Sequence, residues 1–153
     1  MIQIFTLPNN RSSKLAITWF LEENVSFVER RIDKYAPITE KELREILVLT
    51  DNGFEDILSI RSRIYKTLKL EIENCSTKEL INLIIDYPNL LRTPIITDKK
   101  LKILIGYNVE NIRCFVDKKK RKMQLSQYYL SKNNFFFFYN NVEISDGSVK
   151  SFV

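Results

Sequence analysis

The chain opens on an apolar stretch, residues 1–6, that runs into a short polar loop, Leu7-Pro8-Asn9-Asn10-Arg11-Ser12-Ser13, and then into a helical pattern over 14–23. Gln3-Ile4-Phe5-Thr6 alternates polar and apolar and predicts a strand. A strand, a tight polar turn and a helix N-terminus together make a place where thiols are activated, because the first helical N–H groups and the macrodipole favour a thiolate. Asn10 and Ser13 stand at the two ends of a C-x-x-C spacing and carry no sulfur. The seat for a nucleophile is there and the nucleophile is not, which points to binding rather than catalysis.

The next segments extend the constraint. Leu15, Trp19, Phe20 and Leu21 recur at helical spacing, and Ser26-Phe27-Val28-Glu29-Arg30-Arg31-Ile32 predicts a second strand. A helical crossover between two strands favours parallel pairing. From 39 to 87 the character changes. Thr39-Glu40-Lys41-Glu42 and Ser76-Thr77-Lys78-Glu79 are capping boxes, each followed by apolar residues at helical spacing. Asp51-Asn52-Gly53 predicts a turn in which Gly53 ends a helix in a left-handed conformation. A helix is expected from Phe54 to Ile60, continued from Arg61 to Lys69. After Pro88 strands return. Pro94-Ile95-Ile96-Thr97 and Leu101-Lys102-Ile103-Leu104-Ile105 predict a hairpin, and Asn108 an N-cap for a helix over 109–116. The organisation expected is an α/β domain (1–38 and 88–130), an inserted all-helical lobe (39–87) and a poorly ordered tail (131–153). In that tail Phe135-Phe136-Phe137-Phe138-Tyr139 suggests a strand or an aggregation-prone segment.

Composition narrows the function. At 153 residues with 44% hydrophobic content, one ordinary core is the expectation. There is no histidine, the side chain best matched to acid–base work near neutral pH. Cys75 and Cys114 lack a ligand-like spacing, so no metal site and no cofactor is expected, and both thiols read as small core residues. No run is long enough to span a bilayer and no secretory signal opens the chain, so a cytoplasmic, membrane-free protein is expected. The net charge of +5 is modest. The basic run over 118–122 reads as a solvated face that would add non-specific phosphate attraction beside DNA.

Several short segments, in one order, resemble the Spx family of transcription regulators in the arsenate-reductase-like branch of the thioredoxin superfamily. They are Ile4-Phe5-Thr6-Leu7-Pro8, Phe27-Val28-Glu29-Arg30, Ile46-Leu47-Val48-Leu49-Thr50-Asp51-Asn52-Gly53, Ser59-Ile60-Arg61-Ser62-Arg63, Leu90-Leu91-Arg92-Thr93-Pro94-Ile95-Ile96 and Gly106-Tyr107-Asn108. The resemblance implies a thioredoxin-like mixed sheet carrying the helical lobe. It implies a monomeric, non-enzymatic regulator that binds the C-terminal domain of the RNA polymerase α subunit and meets promoter DNA mainly through the polymerase.

The resemblance also gives residues roles. Asn10, Val48, Gly53 and Arg61 fall at partner-binding positions, Asn10 and Ser13 at the positions of the family's C-x-x-C switch, and Pro94 at its structural, cis proline. Thr93 replaces the family arginine before that proline, and Val48 replaces an arginine ahead of the family glycine. Gly53 keeps two readings, a helix stop or a point of close partner approach. The alternative function is an arsenate-reductase-like oxidoreductase that has lost its nucleophile. Ser12 and Ser13 are poor replacements, since a hydroxyl without a nearby base stays protonated.

Overall fold

The computed structural model describes residues 1–98 and 102–140, with side chains as far as residue 132. The chain forms β1 (Ile2–Thr6), α1 (Arg11–Glu22), β2 (Phe27–Arg31), α2 (Glu40–Leu47), α3 (Phe54–Ile57), α4 (Arg63–Thr67), α5 (Lys69–Asn74) and α6 (Thr77–Asp86). Then follow β3 (Ile95–Asp98), β4 (Ile103–Ile105) and α7 (Lys118–Asn140), with 3-10 turns at Pro88–Leu90 and Asn111–Phe115. Two compact units divide after Phe115.

In the first unit the strands lie in the order β2-β1-β3-β4. β1 pairs parallel to β2 and antiparallel to β3, and β3 pairs antiparallel to β4, so the sheet is mixed. Strand alternation divides the core. Ile4 lies opposite Ile96 and Phe5 opposite Ile95, and all four are buried. Phe5 and Ile95 join Leu43, Ile57, Ile81 and Leu90 in the core beneath the helices of 40–86. Beside α1, Phe20 is fully buried and stacks obliquely on Phe27 and Phe115.

Both capping boxes form. Thr39 and Ser76 each accept the N–H of the glutamate three residues on, and Glu42 and Glu79 reach back to the cap N–H. The edge strand β2 is tied to α2 by Arg30. Its guanidinium donates to both Glu42 carboxylate oxygens, at 2.8 and 3.3 Å, and to the carbonyls of Arg31, Ala36 and Pro37.

Several expectations need correction. Leu15 and Leu21 are exposed, and α1 instead buries Ser13, Ala16, Trp19 and Phe20. The helix expected from Phe54 onward breaks at Leu58, which bridges Leu91 while Ser59 N–H donates to Leu90 and Arg92 N–H to Ile57. Those bonds to a distant segment replace helical ones, an outcome that local periodicity does not encode. Residues 109–116 make a 3-10 turn rather than an α-helix, although Asn108 does cap it, accepting from Glu110 and Asn111 N–H. β4 starts at Ile103, and Lys99, Lys100 and Leu101 of the expected hairpin lie outside the described residues. Cys75 and Cys114 are half-buried rather than core residues. In the second unit the phenylalanine run is helical as far as Asn140, not a strand, and residues 141–153 lie outside the described residues.

Candidate docking surface

β1 ends at Thr6 and the chain turns through Asn9, whose φ of 58° is tolerated by asparagine better than by most side chains. Asn10 then caps α1: its backbone is extended and its Oδ1 accepts the Ser13 N–H at 2.8 Å. The helix therefore begins at Arg11, three residues before the apolar pattern shows it. Ser13 is buried, and its Oγ has no hydrogen-bond partner.

β3 runs antiparallel to β1, so the residues just before β3 lie at the end of the sheet where β1 finishes. Thr93 and Pro94 are there, joined by a cis peptide bond. Thr93 is buried with its hydroxyl also unpartnered. The Pro94 carbonyl accepts the Gly106 N–H at 2.8 Å. Gly106 has φ 79°, and a Cβ there would sit 3.3 Å from the Arg92 guanidinium, so backbone and space both call for glycine.

The Gly53 turn is built differently from the expectation. Gly53 does not end α2, which stops at Leu47; it is the N-cap of α3, with φ 63° and ψ −125°. That conformation is not the left-handed helical one expected. A side chain would find open space at Gly53 but a strained backbone. Glycine has no side chain to cap α3, and Asp56, at the third helical position, instead pins the turn that precedes it. Its carboxylate accepts the N–H groups of Asp51 and Asn52 and the Asn52 side-chain amide, at 2.9–3.1 Å. The Asn52 backbone and side-chain bonds hold the Asp56 carboxyl below its ordinary pKa against a small desolvation, aided by the Asp51 N–H and the Arg92 charge. Asp56 is thus the residue that sequence reasoning missed. The available signal is an acid in the first turn of the helix that follows a glycine turn, where it can reach back to the N–H groups ahead of it.

Arg61 and Arg92 line one shallow groove together with Glu55, Ser59 and Ile60. The Arg92 charge helps to keep the Asp56 carboxyl ionised. Val48 is 81% exposed and lines a different groove with Met1, Gln3 and Glu45, beside the start of β1. Arg61 and Arg92 are thus brought together, whereas Val48 and Arg61 flank separate hollows. The residues present suit recognition of a protein surface: an open glycine backbone, a fixed turn, exposed Val48 and Ile60, and two arginines lining one groove. Among the described residues no group of three or more His, Cys, Asp or Glu is placed to hold a metal ion. No described helix is long and apolar enough to cross a membrane.

Comparison with known proteins places this geometry. The model of the ArsC family matches residues 5–115. The global transcriptional regulator Spx of Streptococcus pneumoniae is 43% identical over 127 residues, which is 83% of this chain and 94% of that protein. Global transcriptional regulator Spx 1 of Lactococcus lactis is 39% identical over 82% of this chain and 96% of its own length. Among solved structures, an ArsC-family-related protein from Bacteroides fragilis superposes with a TM-score of 0.63 at 22% identity, covering 74% of this chain and 96% of that one. A possible arsenate reductase from Streptococcus mutans gives 0.58 at 21% identity, covering 73% and 97%. These neighbours establish the thioredoxin-like ArsC fold of the mixed sheet and its helices.

Proposed function

This chain belongs to the ArsC family and, within it, to the Spx regulators, and on that footing we propose that it is a cytoplasmic transcriptional regulator, monomeric when free, that docks on the C-terminal domain of the RNA polymerase α subunit without a dithiol switch. The observation that carries the reading is the Gly53 turn: an open, positive-φ glycine held in shape by Asp56 and followed by the Arg61–Arg92 groove. A backbone without Cβ lets a partner helix approach closely, and a pinned turn loses little entropy when it is bound. Asn10, Gly53 and Arg61 supply contacts in this reading, and Val48 extends the surface from the end of α2. Pro94 shapes the loop that faces the start of α1.

An oxidoreductase is the second reading, motivated by the reductase-named structural neighbour. It fits less well. Asn10 is spent on capping α1, and the Ser13 hydroxyl is buried with no base bonded to it, so neither is an activated nucleophile.

The test is retention of the purified protein on the immobilised C-terminal domain of the polymerase α subunit, with and without oxidant. Binding is expected under both conditions, within about twofold, because neither Asn10 nor Ser13 can enter a disulfide. A large redox effect that disappears in the Cys75→Ala/Cys114→Ala variant would make those thiols the sensor and overturn the switch-free reading. Turnover of arsenate with a thiol reductant would instead support the oxidoreductase.

A further inference from the structure

The basic run at the start of α7 is placed where a helix least favours positive charge. α2 opens with Glu40 and Glu42, α3 with Glu55 and Asp56, and α6 with Glu79, all complementing the macrodipole. α7, like α1 and α4, has no acid in its first turn; it follows Asp117 directly and opens on Lys118, Lys119, Lys120, Arg121 and Lys122. Lys132 is the sixth cation of this helix, and Lys118–Asn140 contains no Asp or Glu. The helix thus holds more positive charge than the net +5 of the whole chain, so the remainder is slightly acidic. The ArsC-family model ends at residue 115, before this run, whereas the 127-residue match to the Spx relative takes it in.

We propose that α7 is a contact for the phosphate backbone of duplex DNA, read without regard to base sequence. Successive residues step about 100° around a helix, so five consecutive cations form a collar rather than a stripe. A collar suits a polyanion whose charge continues in every direction along a groove. Lys118, Lys119, Arg121 and Lys122 are exposed to it. A phosphate near these side chains also meets the positive end of the helix, so the placement that is unfavourable in water becomes favourable on DNA. A membrane surface fits less well. Met123, Leu125, Tyr128, Tyr129 and Leu130 are all exposed and spread around the helix at that step, giving no single apolar face to lie in lipid. Specific contacts would come from the polymerase, and α7 would add local, salt-sensitive affinity for the promoter. In that respect the inference rests on the regulator reading, but its test needs no polymerase.

The test is fluorescence anisotropy of the full chain with a labelled mixed-sequence duplex across a salt series. Four or five neutralised phosphates predict a slope of log K against log salt near about −4, hence roughly a few-hundredfold loss between about 50 and about 200 mM salt. Replacing Lys118, Lys119, Arg121 and Lys122 with glutamine should cut the slope to about −1 or shallower and weaken binding at least about tenfold at the lower salt. Circular dichroism checks that the helix persists, and the slope of the unaltered chain tests the idea independently if it does not. Absence of duplex binding, or an unchanged slope in a folded variant, overturns the proposal. Tighter binding to phosphatidylserine vesicles than to duplex at equal salt also overturns it, in favour of a membrane surface. If the variant still binds the polymerase domain while losing DNA, the two sites are separate. If the parent binds DNA but not that domain, the docking proposal falls and this one stands.

Discussion

Arg30→Ala should lower the unfolding free energy by about 2–4 kcal/mol, measured by urea denaturation at neutral pH. The size follows from what one side chain holds. Its guanidinium donates to both oxygens of Glu42 and to three backbone carbonyls in the β2–α2 connection, while only 22% of the side chain is exposed. Alanine leaves three carbonyls to find water and a partly buried carboxylate without its cation. Glu42→Gln tests the same link from the other side and should cost less, since Arg30 keeps its carbonyl partners. A double-mutant cycle between the two should show coupling of about 1–2 kcal/mol.

The pH dependence has a definite sign. Burial pushes the Glu42 carboxyl up, but the bond from Arg30, the Thr39 N–H and hydroxyl, and the Arg30 charge together hold it below the ordinary value of 4.5. A carboxyl whose folded pKa is depressed stabilises the fold above its unfolded pKa, and that stability is lost as pH falls through the folded value. Asp56 and Glu79 are shifted in the same direction, the first mainly by Asn52 and the second mainly by Ser76. Stability should therefore be level from neutrality to about pH 5 and decline below it. In Arg30→Ala the decline should be shallower. An equally steep decline in that variant would remove Arg30 from the explanation.

Gly53→Arg should weaken binding to the C-terminal domain of the polymerase α subunit at least about tenfold, the effect of about 1.5–3 kcal/mol of overpacking at a close contact. A Cβ at this position has open space around it in the free protein, so the first atom of a side chain is accommodated there and a closely packed partner would have to give way to the rest. The backbone penalty is separate: φ 63° with ψ −125° disfavours every L-residue, and Gly53→Ala carries that strain with almost no bulk. Comparing the two variants by thermal unfolding and by binding separates strain from collision. Similar melting temperatures with a much larger binding loss for arginine is the expected pattern. Equal binding by Gly53→Arg and the parent would exclude close approach at this turn.

The capping boxes at Thr39 and Ser76, the parallel β1–α1–β2 unit and the central Ile95–Ile96 strand were legible because each is set by neighbours in sequence or by a period. The break at Leu58 was not, since it depends on bonds to Leu90, Leu91 and Arg92, some thirty residues away. Gly53 was recognised as a turn residue, but its geometry depends on Asp56 reaching back to Asp51 and Asn52, so it opens α3 instead of closing α2. Four consecutive phenylalanines have no period, and nothing local to them announces a helix carried onward from Lys118. At the candidate docking surface, Arg61 and Arg92 both stood out in the sequence as charges, while their placement along one groove, with Gly106 beside the Arg92 guanidinium, depends on the fold.

The central claim is tested most directly by titrating the purified protein with the isolated C-terminal domain of the polymerase α subunit in a calorimeter, under reducing conditions. The account predicts saturable one-to-one binding, unchanged when Cys75 and Cys114 are replaced by alanine and reduced at least about tenfold by Gly53→Arg. Protein that is folded by circular dichroism yet gives no binding heat at several temperatures would contradict it.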